Sequence, residues 1–135
     1  MEEKMRTVYE YCLLRYVPDI ERGEFVNVGL MLMCKRYRWM RVEVHIDEAR
    51  LQVLSPRCDV KRLRVQLGVF TRGDVPARDL PVEERYRWMA AVKSAVIQTS
   101  PSHPGLLLTS PETPAAEVRT SLDNLFDTLF SRLVK

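Results

Sequence analysis

Two apolar runs separated by a short polar insert limit what the first third of this chain can fold into. Residues 7–17 (TVYEYCLLRYV) and 25–35 (FVNVGLMLMCK) are dense in β-branched and aromatic side chains, and PDIERGE between them supplies a proline start and a glycine. That pattern predicts an antiparallel hairpin closed by a loop. Setting Val17 opposite Phe25 brings Arg15 opposite Asn27. One sheet face then carries Arg15, Asn27, Leu13, Gly29, Tyr11, Met31, Tyr9 and Met33, and the other carries Tyr16, Val26, Leu14, Val28, Cys12 and Leu30. Both faces are largely apolar, so the sheet is expected to be covered on both sides, or on one side with a partner on the other.

Residues 37–46 (YRWMRVEVHI) alternate and extend the hairpin into a meander. Helical patterns follow. Asp59 can cap residues 60–70, where Val60, Leu63, Leu67 and Phe70 recur at helical spacing. Residues 71–79 (TRGDVPARD) read as a loop. Pro81 opens a helix over 81–92, with Glu83 and Glu84 at its favourable dipole end. AVIQTS, 95–100, is a short β-branched segment and a fourth strand. Pro114 starts a long helix on which Val118, Leu122, Leu125, Phe126, Leu129, Leu133 and Val134 form a wide apolar stripe. The fold class expected is α+β: an antiparallel meander of three to four strands with packed helices and a long C-terminal amphipathic helix. Residues 1–135 form one domain in this reading, with 1–6 as a loose lead-in.

Composition agrees with one small core. The 135 residues are 46% hydrophobic and 29% charged, an ordinary globular balance. The start, MEEKMRTVYEY, has no apolar signal region, and the longest near-apolar run is too short to span a bilayer. Cys12, Cys34 and Cys58 share no metal or redox spacing, which predicts reduced thiols in a cytoplasmic protein and no disulfide. A net charge of +3 is too small to demand a polyanionic partner.

Three groups of residues carry possible chemistry. Arg15 and Asn27 are polar groups at the loop end of an apolar face. They either satisfy loop carbonyls and each other, or hold an anion or peptide terminus through the guanidinium fork and the amide. KRYRWMR, 35–41, interleaves cations with rings, as single-stranded nucleic-acid binders do. Lys35, Arg36, Arg38, Trp39 and Arg41 are its contact residues in that reading, yet strand alternation puts only half of them on one face; a solvated hairpin end is the other reading. QTSPSHPGL, 98–106, is a stiff, polar-tipped turn in which His103 has three open roles: turn structure, ligand binding or catalysis. Neighbouring Ser and His in such a turn rarely share the geometry of nucleophile and base. Walker, dinucleotide, nucleophile-elbow and zinc patterns are missing from the sequence, so neither cofactor nor metal is expected.

RYVPDIERGEFVNVGLML (15–32), RWMAAVKSAVIQTSPSHPGL (87–106) and LDNLFDTLFSRLV (122–134) together resemble the bacterial domain-of-unknown-function family 3037. One departure is that the family pattern has Ala-Pro-Arg before a serine where this chain has Ala91, Val92 and Lys93. The resemblance implies a protein partner, a HipA-like serine/threonine kinase in a toxin–antitoxin-like pair; the short apolar runs predict no membrane association. The lead expectation is therefore a non-enzymatic interaction or accessory module. The first alternative is a small-ligand or phosphate-handling enzyme. It would use Arg15, Glu24, Asn27, Lys93 and His103; where the two long motifs converge these join Gln98 and Ser100 in a network that is either a binding site or, as favoured here, structural. The second alternative is nucleic-acid binding through residues 35–64.

Overall fold

The computed structural model describes residues 5–72, 77–91, 94 and 96–135. Its elements are β1 (Met5–Tyr16), β2 (Val26–Cys34), β3 (Trp39–Val44), α1 (Glu48–Leu54), α2 (Val60–Thr71), α3 (Val82–Ala91), β4 (Ile97–Thr99), β5 (His103–Thr109) and α4 (Ala115–Leu133). One antiparallel five-stranded sheet runs β3-β2-β1, and β4 and β5 share the far side of β1: β4 pairs Leu14 to Tyr16, β5 pairs Met5 to Tyr11. The expected α+β fold with a long C-terminal helix is what is found. Two elements go beyond it. QTSPSHPGL is not a turn throughout, because Gln98 and Thr99 belong to β4 and His103 opens β5. Helix α1, capped by the Asp47 side chain on the Arg50 amide, was not expected either.

The hairpin register needs one correction. Arg15 faces Asn27 and Tyr16 faces Val26 as expected, but Leu14 faces Gly29 and Cys12 faces Met31. Val28 is therefore the extra residue of a β-bulge, and beyond it every β2 side chain changes face. Met31 and Met33 join Cys12 and Leu14, while Leu30 and Leu32 join Leu13.

Both faces of the sheet are covered. On one, Cys12, Leu14, Met31 and Met33 pack against Leu51 of α1, Leu63, Leu67 and Phe70 of α2, and Tyr86 and Met89 of α3. On the other, Leu13, Leu30 and Leu32 meet Phe126, Leu129 and Phe130 of α4. The α4 stripe is buried at Val118, Leu122, Phe126, Leu129 and Phe130, with Leu125 half-buried. Arg41 of β3 ties the helix down: it pairs with Glu43 on its own strand and with Asp123 and Asp127 of α4 at 3.3 and 3.0 Å, and its guanidinium lies 4.3 Å from the Phe126 ring centre. Asp59 caps α2 by accepting from the Arg62 amide, as its position before the apolar repeat predicted.

All three cysteines are free, with Cys12 and Cys34 buried and Cys58 half-buried. Burial pushes the Cys12 thiol up to about 11 and raises Cys34 as well. Since the thiolate is the reactive form, a colorimetric thiol titration of native protein is expected to modify Cys58 quickly. Cys12 and Cys34 should react only on unfolding; prompt modification of all three would contradict this core.

Candidate functional site

The strand register, rather than any loop, brings polar residues together. Asn27 on β2, Arg15 on β1 and Gln98 on β4 are successive Cα partners, so their side chains share one row across three strands. The row lies at the α4 C-terminus, where Asn27 Nδ2 donates to the Leu133 carbonyl at 3.1 Å. The Arg15 guanidinium lies over the half-exposed Phe25 ring, 4.1 Å from its centre. Among the described residues, Arg15 Nε and Asn27 Oδ1 are both buried without a hydrogen-bond partner. A buried orphan donor beside a buried orphan acceptor is costly, about 1–3 kcal/mol each. The pair matches a group that accepts from Arg15 and donates to Asn27, such as an amide, a hydroxyl or a water. A bare anion would satisfy Arg15 but would meet Asn27 Oδ1 lone pair to lone pair.

The other residues expected in this network lie elsewhere. Glu24 is in the β1–β2 loop, paired with Arg22 at 2.6 Å in solvent. Ser100 is buried and locks β1 locally, its Oγ accepting from the Leu13 amide at 2.8 Å and donating to the Pro101 carbonyl. His103 faces Tyr11 across the strands, its ring 5.3 Å from the tyrosine ring. Along β1 that is four residues from Arg15, about 13 Å at roughly 3.3 Å per residue. Lys93 lies outside the described residues. The two long motifs do adjoin at Gln98 and Arg15, but His103 is not part of that row.

A second cluster, invisible in the sequence reading, joins β1 to α3. Tyr86 is fully buried, with its hydroxyl 2.7 Å from Ser102 Oγ. Ser102 donates to Glu10 Oε1 at 3.1 Å, and Arg87 donates to Glu10 Oε2 at 2.7 Å. The Arg87 bond, opposed by partial burial and aided by Ser102, holds the Glu10 carboxyl below its ordinary value. Burial moves the Tyr86 hydroxyl the other way, well above the usual tyrosine range. Neither group is tuned toward neutrality, where a general acid or base works best, so the cluster acts as a clasp between strand and helix. Its sequence signal was available: Glu10 is the lone acid inside residues 7–17, and an acid on an apolar strand needs a partner.

Because the folded Glu10 value is depressed, its stabilisation is full above the unfolded value and fades as pH falls through the folded one. Glu10→Gln is expected to lower stability at neutral pH by no more than about 1 kcal/mol, since Arg87 is largely exposed. The difference from the parent should begin to shrink as acid denaturation series pass below the ordinary carboxylate value of 4.5, and disappear once pH is below the depressed folded value. A gap that persists there would mean that the glutamine acts by packing, not charge.

The basic segment is divided. Arg41 is committed to α4, and Trp39 is half-buried against Leu32, Cys34 and their neighbours. Lys35, Arg36 and Arg38 are exposed around the β2–β3 turn, where Arg38 takes a left-handed φ of 49°. Arg36 and Arg38 line a shallow groove with Tyr37 and Arg119. Arg64 pairs with Glu48.

Among the described residues, nothing covers the margin of the same sheet face beyond the Glu10–Arg87 clasp. Val8 stands directly opposite Leu106, with Leu108 two residues along, and these side chains are 54%, 54% and 59% exposed. Among the described residues, no group of His, Cys, Asp and Glu is arranged to hold a metal ion, and no helix is long and apolar enough to cross a membrane.

Five antiparallel strands, helices on both faces and a bare apolar margin define a small α+β protein with an open sheet edge. The chain belongs to the family described as "Protein of unknown function (DUF3037)", whose profile matches residues 11–130. No curated protein and no solved structure matches it.

Proposed function

We propose that this chain is a cytoplasmic interaction module that docks another protein on the bare face formed by Val8, Leu106 and Leu108. The observation that carries this reading is the uncovered row itself: three large aliphatic side chains on adjacent strands, each about half exposed, just past the point where α3 ends its cover. Contiguous exposed apolar surface on a small soluble protein commonly marks an interaction site. Arg6, opposite Leu108, and Glu10, opposite Pro104, flank the row with charge and give it a polar rim. The family resemblance points to a HipA-like serine/threonine kinase as the protein served.

The test is affinity capture from the native host with tagged parent and Val8→Lys baits, read by quantitative mass spectrometry. Val8 is exposed, so the substitution leaves the fold intact, which circular dichroism checks. A kinase recovered in near-stoichiometric amount with the parent and lost with Val8→Lys is the expected result. Equal recovery on both baits would defeat the docking face, and a different protein lost with Val8→Lys would keep the face but replace the kinase.

A further inference from the structure

Among the described residues β5 is an open edge, and its outward hydrogen-bonding groups can be assigned. The Val17 amide donates to the Val96 carbonyl at 2.7 Å, the Ser100 amide donates to the Leu13 carbonyl at 2.8 Å, and the Leu13 amide donates to Ser100 Oγ at 2.8 Å. Odd residues of β1 therefore direct their backbone toward the β4/β5 side. β1 alternates without interruption, with Tyr9, Tyr11 and Leu13 under α4 and Cys12, Leu14 and Tyr16 under the other helices, so the same parity holds along its length. Thr7, Tyr9 and Tyr11 face Leu107, Gly105 and His103, and these residues direct their N–H and C=O groups at β1. Pro104, Leu106 and Leu108 then turn theirs outward.

Free edges are normally guarded by charged side chains, prolines or bulges. The segment HPGLLLT carries no acidic or lysine/arginine side chain, and its one guard is Pro104 at the leading end. Helix α4 covers one face at Leu107 with Val118 and Leu122, and α3 reaches β1 and the β4–β5 link through Arg87 and Tyr86, but among the described residues neither helix makes a backbone hydrogen bond to the outward groups of β5.

We propose that β5 pairs with β5 of a second copy of this chain, antiparallel about a two-fold axis through Leu107, joining the two sheets into one. In this register Leu106 lies opposite Leu108 of the partner subunit, and the reverse pair repeats it. Each pair exchanges both N–H···O=C bonds, so the outward groups of Leu106 and Leu108 all find partners. Centring the axis on Leu106 instead sets Leu108 against a proline with no N–H to give. Centring it on Leu108 sets Leu106 against Ser110, whose N–H and C=O are already bonded to Thr113, so the Leu107 centre is the one that leaves Leu106 and Leu108 fully paired. A second copy fits because it presents the same uncharged leucines, so the edges meet without like-charge repulsion. The pairing also merges two apolar rows: Val8 and Leu106 of one subunit continue into Leu108 of the partner subunit. The inference builds on the docking face proposed above by doubling it. It depends on the backbone edge, however, and the two can fail separately.

Sedimentation equilibrium and two variants test this. The parent is expected to sediment as a dimer of the 15.8 kDa chain at micromolar concentration. Leu108→Pro removes an N–H that bonds nothing within the subunit, a substitution edge strands accept. It enters the symmetric interface twice and should raise the dimer dissociation constant by roughly a hundredfold or more. Val8→Lys leaves the edge intact and should remain dimeric, even if it loses the captured partner. In a Cys58→Ser background, Leu106→Cys mixed with Leu108→Cys should form an interchain disulfide under mild oxidation, because directly opposed Cα atoms lie within about 5.5 Å. Each variant alone should cross-link poorly. A monomeric parent at high micromolar concentration, or a dimer unaffected by Leu108→Pro, overturns the proposal. If Leu108→Pro fails to fold, the mixed cysteine pair decides: no preference for the mixture refutes the register.

Discussion

Phe126→Ala is expected to remove about 3–5 kcal/mol of folding stability, the range for truncating a fully buried aromatic. The ring is completely enclosed, packed among Leu13, Leu30 and Leu32 of the sheet and 5.7 Å from the Phe130 ring centre. It also forms the floor on which the Arg41 guanidinium rests while binding Asp123 and Asp127. Alanine leaves a cavity between two rigid layers that cannot collapse, and it strips Arg41 of its ring. A domain of this size holds about 5–15 kcal/mol in total, so a large share of its stability rests on one side chain. Chemical denaturation of the parent, Phe126→Leu and Phe126→Ala measures this. The leucine variant should fall between the other two. A loss under about 1 kcal/mol for alanine would mean that α4 does not pack on the sheet as described.

The helix and the hairpin were legible in the sequence because their signals are local. The α4 stripe repeats over many turns, and Asp59 stands directly before an apolar repeat. Helix α1 was not legible: seven residues with only Leu51 buried make no periodic stripe. β5 hid for two reasons. Its opening His103-Pro104-Gly105 reads as a turn, and its three leucines do not alternate with polar residues. What makes it a strand is pairing with residues 5–11, nearly a hundred positions away. A bulge in this hairpin was conceivable, but its position at Val28 was hidden by composition. β2 is apolar on both faces, so sliding it by one residue exchanges one aliphatic set for another and violates no polar pattern.

The candidate site was legible to the same depth. Arg15 and Asn27 could be paired because the loop fixes the register nearby, on the near side of the bulge. Gln98 joined them through β4, a strand anticipated from its β-branched residues, though not its position beside β1. His103 and Ser100 were drawn in by sequence proximity to Gln98. The chain between them crosses from β4 to β5, which carries His103 down to Tyr11. Tyr86, Ser102 and Arg87 look ordinary alone; Glu10 carried the one signal, and only the packing of α3 on β1 brings its partners within bonding distance.

Gly29→Ala is expected to cost roughly 1–3 kcal/mol, the usual range for forcing extra volume into a filled interior. Gly29 lies between Leu14 on β1 and Val44 on β3, immediately after the bulged Val28. A Cβ there would stand 2.8 Å from Leu14 Cδ1 and 3.1 Å from both the Glu43 carbonyl oxygen and Val44 Cγ1. Leu14 is fully enclosed and has nowhere to turn, and the carbonyl belongs to the sheet itself. The backbone must therefore shift, which outweighs the roughly 0.4–1 kcal/mol that glycine-to-alanine changes gain from a stiffer unfolded chain. Gly23 provides the contrast. It sits in the hairpin loop at a φ of 69° with nothing within 4 Å of an added Cβ, so alanine there meets only the left-handed backbone penalty of about 1–2 kcal/mol. The two variants differ in reach. Gly23→Ala should shift the denaturation midpoint and leave the sheet spectrum unchanged. Gly29→Ala should also perturb amide signals of Arg15, Asn27 and Gln98, because the bulge it distorts adjoins Asn27 and strain there passes along the row. A perturbation confined to residues next to position 29 would show that the row is held by Leu133 and Phe25 instead of by the register.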